Sequence, residues 1–138
     1  AVLSGINTLI VRVQDREELL REACRIAVEV GEFRSALICI ADRQTDKVFS
    51  ITTAGTDDEL LAKIESALAS EEESSRTMIA WAIREKQTVV SNDSVNDTRF
   101  LDATKYAEYG IRSIAGLPLI GADEAVAGFI FERNCILP

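Results

Sequence analysis

The stretch "RSALICIAD", residues 34–42, limits the fold more than any other part of the chain. Both of its alternating sets are apolar: Leu37, Cys39 and Ala41 on one face of a strand, Ala36, Ile38 and Ile40 on the other. Side chains alternate along a strand, so this one must be covered on both sides and must lie inside a sheet rather than at its rim. "KVFSITTAG" (47–55) follows after the polar turn "RQTD" and is also rich in β-favouring residues, which predicts a hairpin. There Phe49 and Ile51 alternate with Ser50 and Thr52, the pattern of a strand nearer an edge.

The covering layers are legible as helices. Leu3, Ile6, Ile10 and Val13 follow the spacing of a packed helix, and Asp15 with Glu18 reads as the start of a second one. Its apolar stripe is Leu19, Leu20, Ala23, Ile26, Ala27 and Val30, and Gly31 is placed to end it. Ile6, Val13, Leu20 and Ala27 recur every seven residues, so one seam can run through both helices. Further on, "SSRTMIAWAIREK" (74–86) offers a serine cap and apolar residues at Met78, Ile79, Ala82 and Ile83. "TVVSN" is then a short strand. The polar crossing "SNDSVNDTRFLDATKYAEYGIRS" (91–113) carries a helical turn or two before Gly110. Finally "IRSIAGLPL" (111–119) and "AVAGFIFER" (125–133) are two strands joined through "IGADE". Two hairpins separated by helices imply an α+β fold, an antiparallel sheet with helices on its faces.

At 138 residues the chain fits one domain with a real core. The net charge of −8, from 23 acids and 15 bases, disfavours nucleic acid and anionic membranes as partners. Much of the excess lies in "TDDELLAKIESALASEEE" (56–73), with seven acids and one lysine, read as a solvated helix face and loop. There is no histidine, which removes every histidine-based triad, metal site and general base. Cys24, Cys39 and Cys135 lack metal-site or CxxC spacing and read as buried reduced thiols, so no metal is expected. No apolar run approaches the ~20 residues of a membrane span, and no basic signal opens the chain, so a cytoplasmic location is expected. The start at Ala1 and the stop at "CILP" just after a strand suggest a piece of a longer protein.

Taken in order, "LLREACRIAVEVGEFRSALICIAD", "AIREKQTVVSNDSVNDTRF" and "YGIRSIAGLPLI…AVAGFIF" resemble a GAF domain, a small-molecule-sensing module attached to many bacterial signalling enzymes. The likeness spans nearly the whole chain. Its specific parts are Asp93, the "DTRF" at 97–100 where the family often reads D-P-R-F, the "LPL" strand and the last strand with Gly128. The resemblance implies a PAS-related sheet of order 2-1-5-4-3, with N-terminal helices (1–31) on one face and a pocket on the other, roofed by residues 91–113 as a lid within 34–133. Phe100 and Tyr106 would then be apolar walls, with Asp93, Arg99 and Ser113 as polar contacts to an unidentified small molecule. Asp93 and Asp97 also suit plain helix caps, and Arg99 suits an ion pair with one of them.

The chain departs from the family pattern at Ala80, Lys86 and Thr88, where glycine, glycine and proline are common, so the lid backbone cannot be assumed from relatives. Thr104 stands where the cyclic-nucleotide branch has an acid, and bilin carriers pair their cysteine with a histidine that is missing here. Cyclic GMP and a bilin are therefore disfavoured, and no cofactor is named. The expected role is regulatory rather than enzymatic: binding shifts the helices, which bias an attached kinase or cyclic di-GMP enzyme. A homodimer through Ile6, Val13, Leu20 and Ala27 is expected. Two alternatives remain open, a free methionine sulfoxide reductase of the same fold and a dimerising spacer that binds nothing.

Overall fold

The strand with two apolar faces is β1, Ser35–Asp42, and every residue from Ser35 to Ala41 is buried or half-buried. The computed structural model describes residues 16–100, 102–120 and 124–132. On one side β1 pairs antiparallel with β2, Val48–Ala54, and on the other with β5, Glu124–Glu132. Next come β4, Ser113–Ile120, and the short β3, Val89–Ser91, giving five antiparallel strands in the order β2-β1-β5-β4-β3. The expected order and the edge position of β2 both hold.

In the hairpin turn the Asp42 carboxylate accepts the N–H groups of Gln44 (2.8 Å) and Thr45 (3.1 Å), so the polar residues there serve the backbone. The β1–β2 register passes from Ile40↔Ser50 to Ala41↔Val48, leaving Phe49 as the extra residue of a bulge. Phe49 is 61% exposed.

Register assigns the faces. Leu37, Cys39 and Ala41 share one with Ala127, Phe129 and Phe131 of β5 and with Ile114 of β4. Ala36, Ile38 and Ile40 share the other with Val126, Gly128 and Ile130, and with Ala115 and Leu117. On this second face α1, Arg16–Glu29, lies against β1 and β2. Cys24 and Ile26 are its buried residues, Leu20 and Ala27 are half-buried, and Val30 is 56% exposed. The expected stripe thus stops short of Val30 and includes Cys24, a small side chain that lets helix and sheet approach closely. The helix stops at Glu29, and the left-handed residue beyond it is Glu32 (φ 62°) rather than Gly31. Leu3, Ile6, Ile10, Val13, Asp15 and Cys135 lie outside the described residues.

The first face carries the main core. Over it lie α2, Asp58–Ala69, a 3-10 turn at Ser74–Arg76, α3, Met78–Glu85, and α4, Ala103–Ala107. Leu60, Ile64, Met78, Ile79, Tyr106 and Phe129 meet there, all nearly sealed from solvent. The acids Asp58 and Glu59 occupy the first turn of α2, where the helix dipole favours them. The cap of α3 is Thr77, whose hydroxyl accepts the Ala80 N–H at 3.1 Å; the serines expected to cap it form the 3-10 turn instead. Lys86 ends α3 in the left-handed conformation (φ 54°, ψ 38°), so it takes the backbone shape that glycine adopts without strain. Gly116 has no side chain because the Phe129 ring fills the space a Cβ would need. No helix among the described residues is long and apolar enough to cross a membrane.

Candidate functional site

The polar residues between β3 and β4 mostly tie the lid to itself. Ser94 donates its N–H to the Arg112 carbonyl (3.0 Å) and its hydroxyl to that of Ile111 (2.5 Å). Asp93 accepts the Asn96 side-chain amide at 2.8 Å. Asp97 is gripped by Arg99: Nη2 donates to Oδ2 at 2.8 Å, Nε to Oδ1 at 3.1 Å, and the Arg99 N–H to Oδ1 at 3.0 Å. Nη2 also reaches the Val90 carbonyl at 2.7 Å, which fastens the lid to β3. This guanidinium holds the Asp97 carboxyl down at about 2. Asp93 and Arg99 therefore face outward in structural roles.

Phe100 and Tyr106 point inward, as expected of lid aromatics. Phe100 meets Trp81 edge-on, with centroids 6.1 Å apart, while Tyr106 lies 5.2 Å from the Phe131 ring and is 1% exposed. Together with Met78, Phe129 and Ile114 they fill the space that a lid over an open pocket would leave free. Among the described residues a recess of about 10 Å³ is left between α2, the start of α3 and α4, room for about one water. Its lining includes Leu60, Ile64, Thr77, Asp102 and Tyr106, with Lys63 and Lys105 at its margin.

Ser113 does not join this group. It is fully buried on the opposite face, with Ala115 and Leu117, and its hydroxyl donates to the Asn92 side-chain oxygen at 3.2 Å. The alternation that aligned it with those neighbours is correct. The expected pocket contact fails because a period of two does not say which face turns to the lid.

The residue that sequence reasoning passed over is Asp102, only 4% exposed. Its position just before α4 places it at that helix's start, where its carbonyl accepts the Tyr106 N–H at 3.2 Å. Its side chain turns inward and Oδ1 accepts the Met78 N–H at 3.1 Å, joining the starts of α3 and α4. The Tyr106 hydroxyl adjoins the same carboxylate, yet Oδ2 is sealed from solvent without a hydrogen bond of regular geometry among the described residues. Burial pushes the Asp102 carboxyl above its usual range, against the opposing pull of the Tyr106 hydroxyl and the Met78 amide. Burial also raises Tyr106 well above the ordinary phenol range, with the Asp102 charge adding to it. The two lysines are engaged at the surface: Lys63 lies 3.7 Å from Glu108 and over the Tyr109 ring, and Lys105 lies 4.0 Å from Glu73. Chemically, the recess presents one buried carboxyl, Oδ2 of Asp102, beside the apolar Leu60 and Ile64 and the hydroxyl-bearing Thr77 and Tyr106, suited to a small hydrogen-bonding group.

The two described thiols, Cys24 and Cys39, stand apart from it. Cys24 donates to the Thr52 carbonyl (Sγ···O 3.6 Å), and burial pushes it up to about 11. Cys39 points into the main core from the other side of β1 and is also raised, by burial first. Neither is poised as a thiolate near neutral pH.

A family model described as GAF domain matches residues 13–135 of the chain. No curated protein matches it significantly. Among solved structures it is similar to free methionine-R-sulfoxide reductase from Neisseria meningitidis in complex with its substrate, at TM-score 0.73 and 14% identity over 97% of this chain and 72% of that one. It is equally similar to the GAF domain of a phosphoenolpyruvate-protein phosphotransferase from Coxiella burnetii, at TM-score 0.73 and 12% identity, covering 96% and 76%. The GAF domain of A. aeolicus nlh2 in an inactive state gives TM-score 0.70 at 12% identity, covering 95% and 76%.

Proposed function

The chain belongs to the GAF domain family, and on that premise we propose that it is the single cytoplasmic sensory domain of a bacterial signal-transduction protein. GAF domains are generally sensory or regulatory modules within longer signalling proteins. The finer reading is that a small molecule bound at Asp102 shifts the helices over the sheet, and that these bias an attached output domain, a kinase or a cyclic di-GMP enzyme. A homodimer through the N-terminal helices carries the shift between copies, with Leu20 and Ala27 of α1 continuing the seam of Ile6 and Val13.

The observation that carries this reading is Asp102. Leaving a buried acceptor unpaired costs about 1–3 kcal/mol, and the fold gains its helix tie through Oδ1 alone. A buried carboxyl that is only partly satisfied, by the Met78 amide and the nearby Tyr106 hydroxyl, and that stands beside a recess is what supports a ligand contact here. At about 10 Å³ the recess admits more than a water only if one of its lining helices moves outward, so binding and helix movement would be one event.

The filled core beneath Phe100 and Tyr106 favours a second reading, a dimerising spacer that binds nothing. The reductase reading has less behind it. An attacking thiolate and a resolving thiol must approach each other, while the two cysteines among the described residues, Cys24 and Cys39, are buried on opposite sides of β1 with raised pKa values.

The test is a thermal-shift panel of small amines, amides and amino acids. A compound that raises the Tm of the parent chain, and binds Asp102→Asn about tenfold more weakly, supports the sensor. Asparagine keeps the Met78 contact and removes the charge. If no compound shifts the parent while the chain is a dimer in sedimentation, the spacer is the better account.

A further inference from the structure

A groove runs along the outer rim of the sheet between β2 and α2, apart from the Asp102 recess. Val48, Phe49 and Ile51 form one wall and Leu68 and Ala69 the other, enclosing about 280 Å³. At the β1–β2 turn it widens into a cleft of about 570 Å³ that shares Val48, Leu68 and Ala69 and reaches Arg84.

Three features coincide there. First, among the described residues no strand lies beyond β2, so its outer backbone edge faces the groove unextended. Second, the bulge turns Phe49 outward, and at 61% it is the most exposed large apolar side chain among those described. Its ring does not stand alone but adjoins Val48, Ile51, Leu68 and Ala69, so it extends a continuous apolar wall of the kind that marks a contact surface. Third, Glu65 and Glu71 line the groove, and among the described residues neither takes part in an ion pair. They belong to the 56–73 segment with its seven acids and one lysine. The cleft also carries Asp46, Lys47 and Arg84 at its turn end, so the acidic excess lies along the α2 side of the groove; Arg84 is already engaged by the Ser75 carbonyl (3.3 Å) and by Glu85 (3.2 Å).

We propose that this groove docks a basic polypeptide segment, one that sets an apolar side chain against Phe49 and lysine or arginine side chains against Glu65 and Glu71. A second copy of this chain is the poorer occupant. It would bring the same acidic rim into the contact at a net charge of −8 per chain, and the bulge interrupts edge-to-edge strand pairing. The proposal does not depend on what binds at Asp102.

The test uses two peptides of about a dozen residues, one alternating lysine and valine and the other glutamate and valine, titrated into the isotope-labelled chain and followed by NMR. The lysine peptide should shift the backbone amides of residues 46–51 and 65–71, and Phe49→Ser should weaken its binding by about tenfold or more. Phe49 is exposed, so that variant keeps its fold, which the unchanged spectrum elsewhere verifies. Glu65→Gln with Glu71→Gln should flatten the salt dependence. Three results overturn the proposal: equal binding of the glutamate peptide, shifts spread over the acidic surface and indifferent to Phe49→Ser, or a parent dimer in sedimentation that Phe49→Ser dissolves. The last would make the second copy the occupant.

Discussion

Replacing Asp97 by asparagine isolates the clamp that holds the lid to β3. Arg99 makes three hydrogen bonds to the Asp97 carboxylate, at 2.8, 3.0 and 3.1 Å, and a fourth to the Val90 carbonyl at 2.7 Å. The Asp97 side chain is 6% exposed but that of Arg99 is 57%, so solvent screens one end of the pair. A carboxyl lowered from 3.8 to about 2 corresponds at face value to ~2 kcal/mol, and screening at the arginine brings the expected contribution nearer ~1 kcal/mol. The folded-state value is depressed, so this stability is fully present above about pH 4 and is lost as pH falls through about 2. Urea unfolding of parent and Asp97→Asn should therefore differ by ~1 kcal/mol at neutral pH, and the gap should close toward about pH 2. A gap that stays constant across that window would refute the clamp, because its cause would then be lost packing and not the ionised pair.

Lys86→Gly should raise stability by about 0.5–1 kcal/mol in thermal or urea unfolding, because glycine adopts φ 54° without the Cβ strain that lysine bears there. Gly116→Ala should lower it by ~1–3 kcal/mol, since the new methyl would collide with the Phe129 ring in a closed core. Asp102→Asn should behave oppositely to Asp97→Asn with pH. Burial raises the Asp102 carboxyl, so its favourable contribution is present below about pH 4 and is lost as pH rises through the folded-state value. The asparagine variant should gain on the parent as pH rises toward neutrality, which urea midpoints at acid and neutral pH will read.

Much of the architecture was legible because it rests on burial. The doubly apolar "SALICIA" forced β1 inside the sheet, and the hairpins and the helical spacing of Met78, Ile79, Ala82 and Ile83 followed from periodicity. The strand order came from the GAF resemblance, since alternation cannot say which hairpins adjoin. What stayed hidden depended on a choice of face or on one extra residue. Ser113 was grouped with the right neighbours and assigned to the wrong side of the sheet. The bulge at Phe49 moved an apparent inward residue into solvent by a single register step. Asp102 sits in "LDATKY" before a short helix and reads as a cap, the commonest role for aspartate, while carboxylates are so seldom buried that composition gives no reason to look inward. Its one available signal was position, two residues after Phe100 and four before Tyr106, the two aromatics expected to close the lid.

Whether Asp102 anchors a ligand can be measured most directly on the chain purified without denaturant, by native mass spectrometry joined to hydrogen exchange. The sensor account predicts a small added mass that is released on unfolding, and amides of α2 and α4 that exchange more slowly before that release than after refolding without it. A bare mass under every gentle condition, with α2 and α4 as protected as β1 and β5 in the purified and the refolded chain alike, would contradict it.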